Sequence, residues 1–277
     1  MESKIALSLK LKFPPIAVLW TDLEPDKAAQ FGKGKWGCAM FMLATAAKGR
    51  TAMFDRETAG CWGGAVGLGF GNFYERWPGG IDCFYKFLST GNQPSEKSQK
   101  VMENLSGRLS REGLDNFLNG ERYVKTPEQA KKFVEALPIT DVPTKFVVFK
   151  PLAEADLEKE EPAVIVFLAN PDQISALTVM FNYETDGDRL QNVIVPAGAG
   201  CHQIGIIPLH ESKSEHPRAV IGMTDISARN NVKRRLGHDL LSFAVPLKLF
   251  LKMEGNVEGS FLERHSWKEL AGEQGEE

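Results

Sequence analysis

The chain has 277 residues, 43% hydrophobic and 25% charged, a composition of ordinary globular proteins rather than disordered or fibrous ones. Its 33 basic and 36 acidic residues are well mixed and sum to a net charge of −3, so no basic stripe marks a nucleic-acid partner. Uninterrupted apolar runs such as Ala163 to Ala169 are far too short to span a bilayer, and Lys4, Lys10 and Lys12 interrupt any secretory core; a cytoplasmic protein without membrane association is expected.

β-Branched and apolar runs bounded by turn residues predict strands over Ile16 to Trp20, Thr51 to Phe54, Phe146 to Phe149, Val164 to Leu168, Val193 to Val195 and Ala219 to Gly222. Several are apolar on both faces, as a sheet covered by helices on each side requires. Between the first two, Cys38 to Lys48 carries helical spacing and stops at Gly49. The region Ile81 to Asn119 reads as two or three helices broken at Gly91-Asn92 and Gly113. Thr126 and Pro127 supply the N-cap and first turn of a helix to Leu137, and Pro171-Asp172-Gln173 opens another directly after a strand. The acidic stretch Ala153 to Pro162 is the best linker. Arg234 to Leu262 reads as helix-rich with a break at Pro246, and the polar residues 271–277 as a disordered tail. The expected fold is α/β or α+β: one compact domain over residues 1–277.

Two stretches close on the same signature. Strand, helix and strand lead to Ala59-Gly60-Cys61 in the first, and again to Ala199-Gly200-Cys201 in the second. The expectation is a pair of duplicated βαβ-type halves, about 1–150 and 151–262, around a mixed sheet, with the two turns as site material. Chance recurrence of a common unit is the alternative.

Four cysteines, Cys38, Cys61, Cys83 and Cys201, are too few for a disulfide scaffold. In a reducing compartment they are buried thiols, metal ligands or catalytic groups, and Cys83 sits on an apolar helix face. Eight glycines lie between Gly60 and Gly80. Such density lets backbone approach a flat or anionic ligand, or simply fold tightly on the sheet. It is neither a dinucleotide fingerprint, since Asn72 stands where a third glycine would be, nor a phosphate loop ending in Gly-Lys-Ser/Thr. Trp62, Phe70, Phe73, Tyr74 and Trp77, with Trp20 and Trp36, wall a pocket for a planar ligand or belong to the core; Trp36 and Trp62, beside glycine and near cysteine, fall on the pocket side.

No Cys-x-x-Cys pair exists, so a structural zinc site is not indicated. Dispersed Cys38, Cys61 and Cys201 are the candidate set for an iron–sulfur cluster or metal, with His202 as a possible fourth ligand. A cysteine nucleophile would pair Cys61 or Cys201 with His202 or His238, though no nucleophile elbow occurs. His210-Glu211 and Glu215-His216 read as a solvated loop cluster. Arg229, just past the strand ending at Gly222, either meets an anionic ligand or pairs with Asp225.

Taken in order, several segments resemble the uncharacterised ArCR family. They are PPIAV near the start, the helix opening at Cys38 with ATAAKG, and the Cys61 turn leading to GLGF. Then come KFVVFKPL, AVIVFLANPDQISAL, the Cys201 turn, VIGMTDISAR and the closing FAVP…SFLERHSW. The resemblance covers nearly the whole chain and implies one domain family across both halves in a cytoplasmic, anaerobe-associated setting. It brings no activity with it. It also implies a further cysteine in the segment that here reads Ile221-Gly222-Met223, so that Met223 removes a possible ligand.

The leading expectation is a small-molecule or cofactor-binding protein. Its site comprises Cys61, Trp62, Gly63, Gly64, Trp36, Cys201, His202 and Arg229. A metal or iron–sulfur redox protein and a cysteine-nucleophile enzyme are the alternatives.

Overall fold

A computed structural model describes residues 1–272 apart from 108, 110 and 188. The chain opens with α1 (Lys4–Ser8), β1 (Ile16–Thr21), α2 (Ala39–Ala47), β2 (Ala52–Phe54) and α3 (Trp62–Gly67). A helical block follows, α4 (Ile81–Leu88), α5 (Glu96–Leu105), α6 (Arg111–Asn119) and α7 (Pro127–Ala136). Next come β3 (Phe146–Pro151), β4 (Val164–Ala169), α8 (Pro171–Phe181), β5 (Val193–Ile194), α9 (Gly200–Ile204) and α10 (Ile206–Ser212). The chain continues through β6 (Ala219–Gly222), α11 (Ile226–Leu236), β7 (Leu241–Pro246), α12 (Leu247–Gly255) and α13 (His265–Leu270).

The seven strands form one mixed sheet in the order β2-β3-β1-β4-β7-β6-β5, antiparallel throughout except for the β5–β6 pair. Period-2 alternation sends Ile16, Val18, Val164 and Val166 to one face and Ala17, Leu19, Ile165 and Phe167 to the other. Both faces are covered. The apolar helix α2 and the amphipathic α11 pack on the first, and α1, α8 and α12 on the second. The fold is therefore mixed α/β with a helical layer on each side of the sheet. A third apolar cluster, separate from both, fills the helical block with Tyr74, Trp77, Phe84, Leu105 and Phe117.

Local signals explain several boundaries. At α8, Asn170 Oδ1 accepts from the Gln173 amide and Gln173 Oε1 accepts from the Asn170 amide, both at 2.9 Å, with Pro171 in the first turn. Thr126 caps α7 as its sequence predicts. At the other end of the chain, buried Glu254 accepts from the Ser3 hydroxyl and from the Lys4 and Ile5 amides, tying α12 to the start of α1.

Three expectations need correction. Leu241–Pro246 is a strand at the heart of the sheet, between β4 and β6, where the sequence read helix. Pro246 closes that strand rather than breaking a helix. Gly113 lies inside α6, so the break between α5 and α6 falls before Arg111. His210 and Glu211 lie within α10 instead of on a loop, and Glu211 is buried against Arg218 at 2.6 Å. Of the predicted tail, Ala271 packs against the core; 273–277 lie outside the described residues.

The topology does not confirm the expected duplication. β1 and β4 are antiparallel neighbours, and a two-fold axis relating them runs normal to the sheet, keeping equivalent helices on one face. Yet α2 packs on the first face and α8 on the second. The strands from before and after Ala153 to Pro162 also join one sheet, with Lys150 paired to Glu160 at 2.5 Å in the connection.

Candidate functional site

Although the halves are not evident copies, their Ala-Gly-Cys turns meet. Cys61 is the N-cap of α3, its Sγ accepting from the Gly64 amide at 3.1 Å. Cys201 lies in the first turn of α9, after Ala199 in a left-handed conformation (φ 51°). The two helices cross at bare backbone. A Cβ on Gly67 would stand 2.7 Å from the Cys201 backbone, and one on Gly205 would stand 2.3 Å from the Gly67 carbonyl. Glycine at these positions serves close helix packing, which accounts for part of the glycine density after Cys61. Asp225 adds a second tie, its Oδ1 accepting from the Ala228 amide at 3.0 Å and Oδ2 from the Gly200 amide at 2.9 Å. One carboxylate thereby caps α11 and fixes the start of α9.

Above this junction lies a cavity of about 600 Å³ between the sheet's first helical layer and the block α4–α7. Cys38, Cys61, Cys201 and His202 line it on the sheet side, together with Gly63 and Gly64. Trp36, Trp62, Tyr74, Trp77, Phe84 and Phe133 give it aromatic walls. These rings brace one another, Trp62 on Trp77 at 4.7 Å between centroids and Tyr74 stacked on Phe84 at 4.6 Å. A Cβ on Gly63 would meet only the Tyr74 hydroxyl, 4.0 Å away, so that residue faces open space.

Arg229 stands apart. Its guanidinium donates to the carbonyls of Met223 at 3.2 Å, Leu240 at 2.8 Å and His238 at 2.5 Å, bracing the loop before β7. It does not line the cavity, and neither does any lysine or other arginine among the described residues. Trp20 is also elsewhere, its indole donating to the Leu68 carbonyl at 2.8 Å. Cys83 is buried in the helical block.

The sequence reading missed Glu121, Tyr123 and Ser227. The Ser227 hydroxyl donates to Glu121 Oε1 at 2.7 Å and lies 3.1 Å from the Tyr123 hydroxyl. Glu121 and Tyr123 come from the turn after α6 and Ser227 from α11, so no local pattern joins them. The one available signal was an acid two residues before an aromatic in a short turn between amphipathic helices.

Burial governs the chemistry here. It pushes the Cys61 thiol up to about 12, with neighbouring Cys38 acting in the same direction, and raises Cys38 and Cys201 as well. All three are neutral thiols near pH 7, the reverse of an activated nucleophile. His202 is 1% exposed, neither ring nitrogen has a hydrogen-bond partner among the described residues, and burial lowers its pKa to about 4. The Trp77 indole N–H is likewise buried and unpartnered. Glu121 is pushed up to about 7 by burial, partly offset by the Ser227 bond and reinforced by Asp225 and Glu112. As for a metal, Cys38, Cys61 and Cys201 share the cavity wall. Among the described residues, however, no three His, Cys, Asp or Glu side chains form a group that could hold an ion. No helix among them is long and apolar enough to cross a membrane.

The model of one protein family, the domain of unknown function DUF169, described as Uncharacterised ArCR, matches residues 4–256. The chain belongs to that family. Neither a curated protein nor a solved structure matches it.

Proposed function

We propose that this ArCR-family protein binds a flat, largely apolar small molecule in the cavity between the sheet layer and the helical block. The observation that carries the reading is the unpartnered His202 in an aromatic wall. Buried polar groups are ordinarily hydrogen-bonded, and both nitrogens of this ring lack a partner among the described residues. The size fits as well: about 600 Å³ lies within the range of small-molecule sites. A neutral imidazole offers one donor and one acceptor, which suits a carbonyl, amide or hydroxyl on an otherwise apolar body. The protonated thiols act as soft, neutral lining. The redox-metal and thiol-nucleophile readings have less support, since the cysteines neither group as ligands nor carry a lowered pKa.

The test uses the neutral fluorescent dye N-phenyl-1-naphthylamine. Saturable binding at one site per chain is expected, and Gly63→Phe, which drives a ring into the open space beside Tyr74, is expected to abolish it. Binding that Gly63→Phe leaves untouched, in a variant with an unchanged circular dichroism spectrum, would place the dye elsewhere and defeat the reading.

A further inference from the structure

We infer that the ligand of this cavity carries a positive charge, as a protonated or quaternary nitrogen on its apolar body, and is not a phosphate or carboxylate. This rests on the cavity being a ligand site and goes on to specify the ligand's charge. Three features of the wall carry it.

First, among the described residues the only carboxylates lining the cavity are Glu121 and Asp225, and no lysine or arginine lines it. Arg229 is committed to three backbone carbonyls. An anion brought here would lose its hydration and find no cationic side chain among the described residues to replace it. Asp225 has both oxygens engaged by amides, so it is largely structural. Glu121 differs: Oε1 accepts from Ser227, while Oε2 has no hydrogen-bond partner among the described residues. Second, the rings of Trp36, Trp62, Tyr74 and Trp77 line the same space. Aromatic faces are electron-rich and attract cations, more strongly where water is excluded. Third, His202 is an independent mark of an absent partner, being 1% exposed with both nitrogens unpaired.

The groups around Glu121 sharpen the expectation. Glu112 from α6, Asp225 and Ser227 from the start of α11, and Tyr123 two residues on bring no cation to it, and the intervening Arg122 donates its Nε to the Asn119 carbonyl at 3.1 Å. Its own carboxyl titrates near neutrality, so attraction for a cation grows as pH rises through about 7.

The experiment compares three probes on one naphthalene ring by calorimetry at pH 8: (1-naphthylmethyl)trimethylammonium, 1-naphthalenemethanol and 1-naphthaleneacetate. The cation should bind at least about tenfold more tightly than the alcohol, with the acetate weakest. Glu121→Gln should shrink the gap between cation and alcohol at least about fivefold, and the gap should also narrow at pH 6. Gly63→Phe should remove all three. Equal binding of alcohol and cation would overturn the charge inference while sparing the ligand site. Preference for the acetate would overturn it outright. No binding of any probe would sink both readings together.

Discussion

His202 is the residue where stability and function pull apart. An imidazole held without a partner in a dry wall is an expense to the fold, and its protonated form is a larger one. The pKa falls from 6.5 in the open chain to about 4 when folded. Above pH 6.5 both states are neutral and the full stability is present. As pH falls from 6.5 towards 4 the unfolded chain takes up the proton first, so stability drops, by about 3 kcal/mol in total from this group. The variant His202→Phe lacks that proton. Urea midpoints measured at pH 7, 5.5 and 4 should show a shallower acid decline for the variant. An identical decline in both proteins would mean that His202 is not held neutral by burial. Glu121 works in the opposite sense. Its raised pKa favours the neutral acid, so its contribution is complete below 4.5 and fades as pH climbs through about 7.

At the scale of elements, the junction of α3 and α9 makes a sharp distinction between neighbouring glycines. Gly63 looks into the cavity, whereas Gly67 lies against the Cys201 backbone. Gly63→Ala should be neutral or stabilising by up to about 1 kcal/mol, since alanine is the better helix former. Gly67→Ala has to separate two helices and should lose about 1–3 kcal/mol. Thermal unfolding of the two variants checks the pair, and equal effects would contradict the crossing. The same junction shows what sequence could reveal. Six strands were legible because runs such as Val164 to Leu168 are apolar, β-branched and bounded by turn residues. β7 was not, because Leu241–Pro246 contains a buried serine and ends in proline inside a segment that reads as helix-rich. The paired Ala-Gly-Cys turns pointed to the site through a recurrence, although α2 and α8 on opposite faces give that recurrence no support from duplication. Glu121 and Ser227 were invisible, since 106 residues separate them in sequence and only the tertiary fold brings them to 2.7 Å.

On the scale of the molecule, the apolar interior is divided. Two clusters sandwich the sheet, and a third holds α4–α7 together. The cavity occupies the seam between the third cluster and the sheet layer, so a ligand there touches both bodies at once. Regions joined across a seam open more readily than strands buried on both faces, and a ligand that needs the closed form suppresses that opening. Amides of α4 and α7 should therefore exchange with solvent faster than those of β4, which is buried along its length. With N-phenyl-1-naphthylamine at about a hundredfold excess over its dissociation constant, exchange in α4 and α7 should slow by up to about a hundredfold, equivalent to about 2.7 kcal/mol. Helix α13 docks through Trp267 on the opposite face, away from the cavity, so its exchange should stay unchanged. Hydrogen-exchange mass spectrometry resolves the three segments in one experiment. Equal slowing in α13 and α7 would indicate general stabilisation by the dye, and no slowing in α7 would show that the seam is not where it binds.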